Sequence, residues 1–154
     1  MAEQDVTRIL DEAGVEYELL AHAHTETAAA EAEALGVDPK DVAKTLVLST
    51  PGGYVRVVLP ASERVDLHKV RDHVEGGKRI HLASEEDLKR DYPDFELGAV
   101  PPFGGSSDRV LVDSRLAERE SVLLEAGSHE QSVRIQAADL LKLSQAEVAD
   151  LAQD

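Results

Sequence analysis

The chain has no cysteine and no tryptophan, and aromatic residues make up only 3% of it. Without cysteine there are no disulfides, no thiolate nucleophile and no thiolate metal ligand, and nothing in the composition points to an oxidising compartment. Long apolar runs are missing too. None approaches the ~20 residues a membrane-spanning helix needs, and Met1-Ala2-Glu3-Gln4 has neither the basic nor the apolar region of a secretory leader. A cytoplasmic protein without a membrane partner is expected. Positive charge is scarce, with 16 Lys and Arg against 31 Asp and Glu and a formal charge of -15. That balance argues against DNA or broad nucleic-acid binding, which depends on clustered Lys and Arg, but leaves room for a small local site. Acidity spread over every segment is also what a protein built for concentrated salt shows. At about 1 M salt a screening length near 3 Å suppresses its self-repulsion.

The 154 residues suffice for one domain, taken as residues 1–154, with a core that needs no staples. Val6, Ile9, Leu10 and Ala13 recur at helical spacing before Gly14, and Val15 to Leu20 reads as a short strand. Thr27 is a good cap for a helix over residues 28–35 that Gly36 ends, and Asp38-Pro39 starts a single turn. Lys44 to Ser49 and Tyr54 to Leu59 flank Pro51-Gly52-Gly53 as a β-hairpin. Alternation puts Val42, Lys44, Leu46 and Leu48 on one face. A lysine among aliphatics either snorkels from the sheet or is held for a ligand.

Asp66 caps a helix carrying Leu67, Val70 and Val74, and Arg79 to Leu82 reads as a short strand. Ser84 opens another helix, which Tyr92-Pro93 stops. Residues 109–112 and 120–126 read as strands, and the second makes a hairpin with residues 132–135. His129 lies near its tip, where a lone histidine is usually solvated. Residues 138–143 and 144–151 read as helices, the second opened by the capping box Ser144-Gln145-Ala146-Glu147. Strands and helices alternate without a βαβ rhythm, which predicts an α+β domain with a mixed, strongly curved sheet.

Two further features bear on chemistry. His22 and His24, two apart in an extended segment, have a spacing that metal sites use, yet no third ligand lies nearby, and a structural or pocket-lining role is favoured over a metal. The run from Glu96 to Ser107 is too rich in Gly and Pro for helix or central strand. Such a stiffened loop can present backbone N–H and C=O groups to a ligand, or can be an ordinary long connection.

Three stretches together, Val42-Ala43-Lys44-Thr45-Leu46, the loop Gly98-Ala99-Val100-Pro101-Pro102 with Phe103-Gly104, and Gly127-Ser128-His129, resemble the YbaK-like aminoacyl-tRNA editing family. That family includes the editing domain inserted in bacterial prolyl-tRNA synthetases, and the resemblance extends over nearly the whole chain. It implies a mixed sheet closed towards a barrel with helices around it. It also implies hydrolysis of the ester between a wrong amino acid and the terminal adenosine of a tRNA, most often a proline tRNA, without a cofactor or metal. On that pattern Lys44 holds the adenosine or its phosphate, Gly98 contacts the aminoacyl group through its backbone, and His129 is the histidine of the prolyl-editing branch. Thr45, Pro102, Phe103, Gly104 and Ser128 then surround the substrate. The implied partner is an aminoacyl-tRNA; with Lys and Arg scattered, either a modest basic patch survives folding or a prolyl-tRNA synthetase brings the tRNA. A non-catalytic module that keeps the fold and binds tRNA ends, nucleotides or a synthetase is the competing reading.

Overall fold

The computed structural model describes residues 2–25, 27–97, 99–104 and 108–154, with side chains from residue 6 onward. Helix α1 (Ala2–Glu12) buries Val6 and Leu10, and Gly14 turns the chain at φ 69°. Strand β1 (Glu18–Ala21) leads to α2 (Ala28–Leu35). The Thr27 hydroxyl accepts from the Ala30 N–H at 3.0 Å, and Gly36 closes α2 in the left-handed conformation at φ 67°. Asp38 caps the single turn Pro39–Asp41.

β2 (Ala43–Thr50) and β3 (Gly53–Pro60) form the expected hairpin, paired from Ala43–Pro60 to Thr50–Gly53. After it come α3 (Leu67–Arg71), capped by Asp66, β4 (His81–Leu82) and α4 (Glu85–Asp91), which opens on a reciprocal Ser84–Asp87 capping box. β5 (Arg109–Asp113), α5 (Ser114–Ala117), β6 (Ser121–Ser128), β7 (Gln131–Gln136), α6 (Ala137–Ser144) and β8 (Glu147–Ala149) complete the order.

The second C-terminal helix is not formed. The Ser144 hydroxyl donates back to the Leu140 carbonyl at 2.7 Å, so this residue ends α6 instead of capping a new helix. Gln145 then reverses the chain at φ 52°, and residues 147–149 pair in parallel with residues 111–113. The edge of β5 offers a ladder, the Leu151 N–H donates to Asp113 Oδ1 at 2.8 Å, and Leu151 is fully buried. Pairing and burial outweigh a local capping signal worth about 1 kcal/mol.

An α+β architecture is present, but the expected barrel is not. The strands divide into two open sheets, antiparallel β1-β7-β6 and mixed β4-β2-β3-β5-β8. Among the described residues one backbone bridge joins them, Val42 beside Leu123 in parallel. Val58, Val110 and Val112 pack against Val122, Leu124, Val133 and Ile135 between the sheets. The opposite face of β2 and β3, with Leu48, Val57 and Leu59, is covered by Val70 and Val74. Helix α2 lays Ala32 and Leu35 over Val42 and Leu123. No helix among the described residues is long and apolar enough to cross a membrane.

Candidate active site

Beyond the Val42–Leu123 bridge β2 and β6 part, and the wedge between them is a cavity of about 360 Å³. Lys44 and Glu125 stand two residues past the bridge on their strands, so alternation keeps both on the face that α2 covers. Both line the cavity, with Ala28 and Ala29 of α2 on one side and Pro101 and Pro102 on the other. A larger, more open hollow near the β2–β3 turn, lined by Thr50, Gly76 and Arg79, contains none of the described residues expected at the site.

Lys44 is half-buried. Burial, and then the like charge of Arg64, lowers its ammonium pKa from the ordinary value, while Glu63 acts in the opposite sense. It is thus a cation short of counter-charge, suited to meet an anionic group.

Glu125 is only 8% exposed. Burial, then the neighbouring carboxyls of Glu31 and Glu96, pushes its pKa up to about 9, so the carboxyl carries a proton at neutral pH. Its Oε2 lies 2.9 Å from His129 Nδ1, yet neither atom makes an aligned hydrogen bond.

His129 is not the solvated tip expected of it; it is 6% exposed. The segment after α4 folds over the β6–β7 turn and holds it: the His129 N–H donates to Glu96 Oε2 at 3.0 Å, and its carbonyl accepts from the Thr25 N–H at 3.0 Å. Nε2 is bonded to the Leu97 carbonyl, which can only accept, so Nε2 carries the hydrogen. The ring of His24 meets it edge-on at 5.3 Å. His22 donates from Nδ1 to the Ala23 carbonyl and sits 2.9 Å through Nε2 from the Ser132 hydroxyl. Ser132 in turn donates to the buried Glu31 carboxyl, whose pKa burial raises.

The aminoacyl-tRNA editing domain family matches residues 22–143. The chain belongs to that family. Among curated relatives, the multifunctional Ser/Thr-tRNA deacylase ProXp-y of Escherichia coli strain K12 is 29% identical over 153 residues, 96% of this chain and 90% of its own length. A proline–tRNA ligase of Thermosipho melanesiensis is 27% identical over 105 residues, 68% of this chain but 18% of the ligase. Among solved structures, a candidate trans-editing enzyme for prolyl tRNA synthetase superposes with a TM-score of 0.89 at 26% identity, covering 99% of this chain and 98% of that one.

The loop of this editing domain is pinned from below by Arg56 on β3, which is 1% exposed. Its guanidinium donates to the Pro101 carbonyl at 2.8 Å, the Gly104 carbonyl at 2.7 Å and Asp108 at 3.2 Å, and packs against the Tyr92 ring. Tyr92 also donates to Asp108, and burial with that carboxylate pushes the phenol up to about 12.

Of the residues expected at the site, Lys44, Thr45 and Pro102 line the cavity. His129 stands behind Glu125 instead of on the wall. Gly98 lies outside the described residues. Phe103 packs in the core between the sheets, and Gly104 offers its carbonyl to Arg56 at φ 86°. The Ser128 hydroxyl accepts from the Glu130 N–H at 3.4 Å within the β6–β7 turn. Sequence reasoning missed Glu125, Glu31 and Arg56. The signal for Glu125 and Arg56 was a charged residue inside an aliphatic strand, Val122-Leu123-Leu124-Glu125-Ala126 and Tyr54-Val55-Arg56-Val57-Val58. Glu31, among alanines on a helix, carried no such mark.

Proposed function

We propose that this editing domain is a trans-acting deacylase, which hydrolyses the ester between a small wrong amino acid and the terminal adenosine of a tRNA. Alanine, serine or cysteine on a proline tRNA is the substrate. One observation carries this reading: a cavity of about 360 Å³ with the half-buried ammonium of Lys44 and the buried carboxyl of Glu125 level on its two parting strands. That volume lies near the small end of ligand pockets, and suits a small side chain and its ester better than a bulky one. A second, smaller site is useful because a synthetase gains only about 1–3 kcal/mol against an amino acid that lacks a methylene.

In this reading water attacks the ester directly and no acyl-enzyme forms, with Thr27 and Thr45 as polar lining of the cavity. Among the described loop residues on the cavity wall, Pro101 and Pro102 have no N–H, and the Ala99 N–H donates to the Glu96 carbonyl at 2.9 Å. Helix α2 is a further source of donors to the developing oxyanion. Ala28 and Ala29 both line the cavity, and their N–H groups belong to the first turn, where a helix supplies no acceptor of its own. Lys44 holds the phosphate or ribose of the terminal adenosine, and His129 positions Glu125.

Several cations already have counter-charges. Lys69 bridges Asp150 and Asp154, Arg119 pairs with Asp41, and Arg109 with Glu147. With these pairs and a formal charge of -15, capture of a tRNA by charge alone is disfavoured, which supports delivery by a prolyl-tRNA synthetase. The test is release of labelled alanine, serine and cysteine from mischarged proline tRNAs, by the protein and by Lys44→Ala. Release well above the buffer rate that is lost in the variant establishes the deacylase. No release of any of the three overturns it in favour of a binding module.

A further inference from the structure

Glu125 is buried, lines the cavity and has an oxygen without a hydrogen bond, a costly place to keep an acid. A carboxyl held only for packing would be replaced at no cost by a leucine, since burying an unpartnered polar group costs about 1–3 kcal/mol. Its surroundings sharpen the question. Glu31 and Glu96 lie close enough to act on it through their charges, and His129, tied by Nε2 to the Leu97 carbonyl, is the nearest ring. At this end of the cavity Glu125 is the lining acid, with Glu31 and Glu96 near it, whereas Lys44, with Arg64 close enough to repel it, supplies the cationic wall.

The substrate has the same polarity. An aminoacyl ester on a terminal adenosine carries phosphate negative charge on the nucleotide side and a positive α-ammonium on the amino-acid side. With the phosphate or ribose drawn to Lys44, the amino-acid end enters the wedge towards Glu125. The proposed deacylase reading places an ester between the two, and the inference rests on that reading.

We infer that Glu125 is the residue that receives the α-ammonium of the aminoacyl group, and that this contact fixes the ester carbonyl in the wedge for attack. The incoming cation supplies the counter-charge that the cavity lacks. Glu125 gives up its proton to solvent and holds the ammonium as a carboxylate, with the His129 ring against its Oε2 fixing its place and the ammonium offsetting the like charge of Glu31 and Glu96. The amino acid's side chain is then judged by volume alone, against Ala28, Ala29 and Pro102. The chemical class admitted is an ester of a small α-amino acid with a free amine. Hydroxy-acid esters and N-blocked aminoacyl esters, such as those of initiator or peptidyl-tRNA, are refused.

The experiment compares alanyl-tRNA with lactyl-tRNA, made from it by nitrous-acid deamination, which exchanges the ammonium for a hydroxyl of similar size. Both proline tRNAs are given to the wild-type protein and to Glu125→Gln, with each rate divided by its buffer rate. Wild type is expected to prefer the alanyl ester by about tenfold to a hundredfold, the worth of a hydrogen bond between charged groups. In Glu125→Gln that preference falls towards one. Equal treatment of the two esters by wild type overturns the inference, as does a preference that survives unchanged in the variant. If wild type hydrolyses neither ester, the deacylase reading itself has failed, an outcome distinct from both. Should Glu125→Gln not fold, Glu125→Met carries the same comparison, and the wild-type pair alone still decides the first outcome.

Discussion

The guanidinium of Arg56 donates to the carbonyl of Pro101 across 2.8 Å, from a side chain that is 1% exposed. A residue in the middle of β3 thereby sets the height of the loop that roofs the cavity, through the same fork that reaches Gly104 and Asp108. Arginine's planar five-donor head makes this possible, and lysine has no equivalent.

Arg56→Lys is therefore expected to cost about 3 kcal/mol of stability, because two carbonyls and a carboxylate lose their partners in a buried place. Urea unfolding monitors the stability. Deacylation of alanyl-tRNA should fall as well, through a raised KM, since the Pro101–Pro102 wall loses its anchor. A variant as stable and active as wild type would remove Arg56 from the site's support.

For Lys44 the expectation is the reverse: function lost and fold kept. Lys44→Ala removes a half-buried cation that burial and Arg64 already disfavour, so the unfolding midpoint should hold or rise slightly. Activity should drop by about a hundredfold, and the slope of log kcat/KM against log salt should shrink by about one if the lysine meets a phosphate. An unchanged slope with lost activity would move the lysine's contact from phosphate to sugar.

Glu125 makes stability depend on pH in a defined direction. The folded protein holds a proton there up to about pH 9, whereas the unfolded chain releases it near 4.5. Between those values the folded state binds more protons, so stability falls as pH rises. Glu31, whose pKa is also raised by burial, adds in the same sense. Glu125→Gln should flatten the curve through this window and be more stable than wild type at pH 9. Thermal unfolding between pH 5 and 9 measures it, and a wild-type curve that climbs with pH contradicts the assignment.

Gly104→Ala should destabilise by about 1–2 kcal/mol, the order of cost of a non-glycine residue held at positive φ. The backbone there has φ 86°, and an added Cβ would come within 2.8 Å of Ile9 Cδ1 on α1. The ring of contacts from α1 to the loop predicts a second effect, a looser cavity roof, read as a gain in release of larger amino acids.

Much of the fold was legible because its signals were local. The Thr27 and Asp38 caps, the Gly36 stop and the Pro51-Gly52 turn each decide a boundary within a few residues, and each stands where its residue type requires. Beyond residue 143 the outcome was decided elsewhere. Ser144 to Glu147 satisfies a capping box on paper, but the open edge of β5 lies more than thirty residues back in sequence, and neither that edge nor the Asp113 carboxylate that holds Leu151 was visible from the motif. The closed barrel failed for a related reason, since sheet closure depends on pairings that alternation does not specify. At the site, Lys44 was legible as a charge out of place on an apolar face. His129 was legible as a residue but not as a buried one, because its cover comes from Glu96 and Leu97 on another segment.

The one rung that joins the sheets among the described residues, Val42 beside Leu123, bears on how such a protein can change. Each sheet keeps its own ladder, the two share one aliphatic core, and among the described residues no strand pairing spans the wedge beside that core. Small residues that face the gap, Ala28, Ala29 and Ala61, can be enlarged or exchanged without breaking a strand pair. Evolvability of substrate choice is thus separated from foldability: the width of the wedge can drift over generations while the two halves that flank it continue to fold as before.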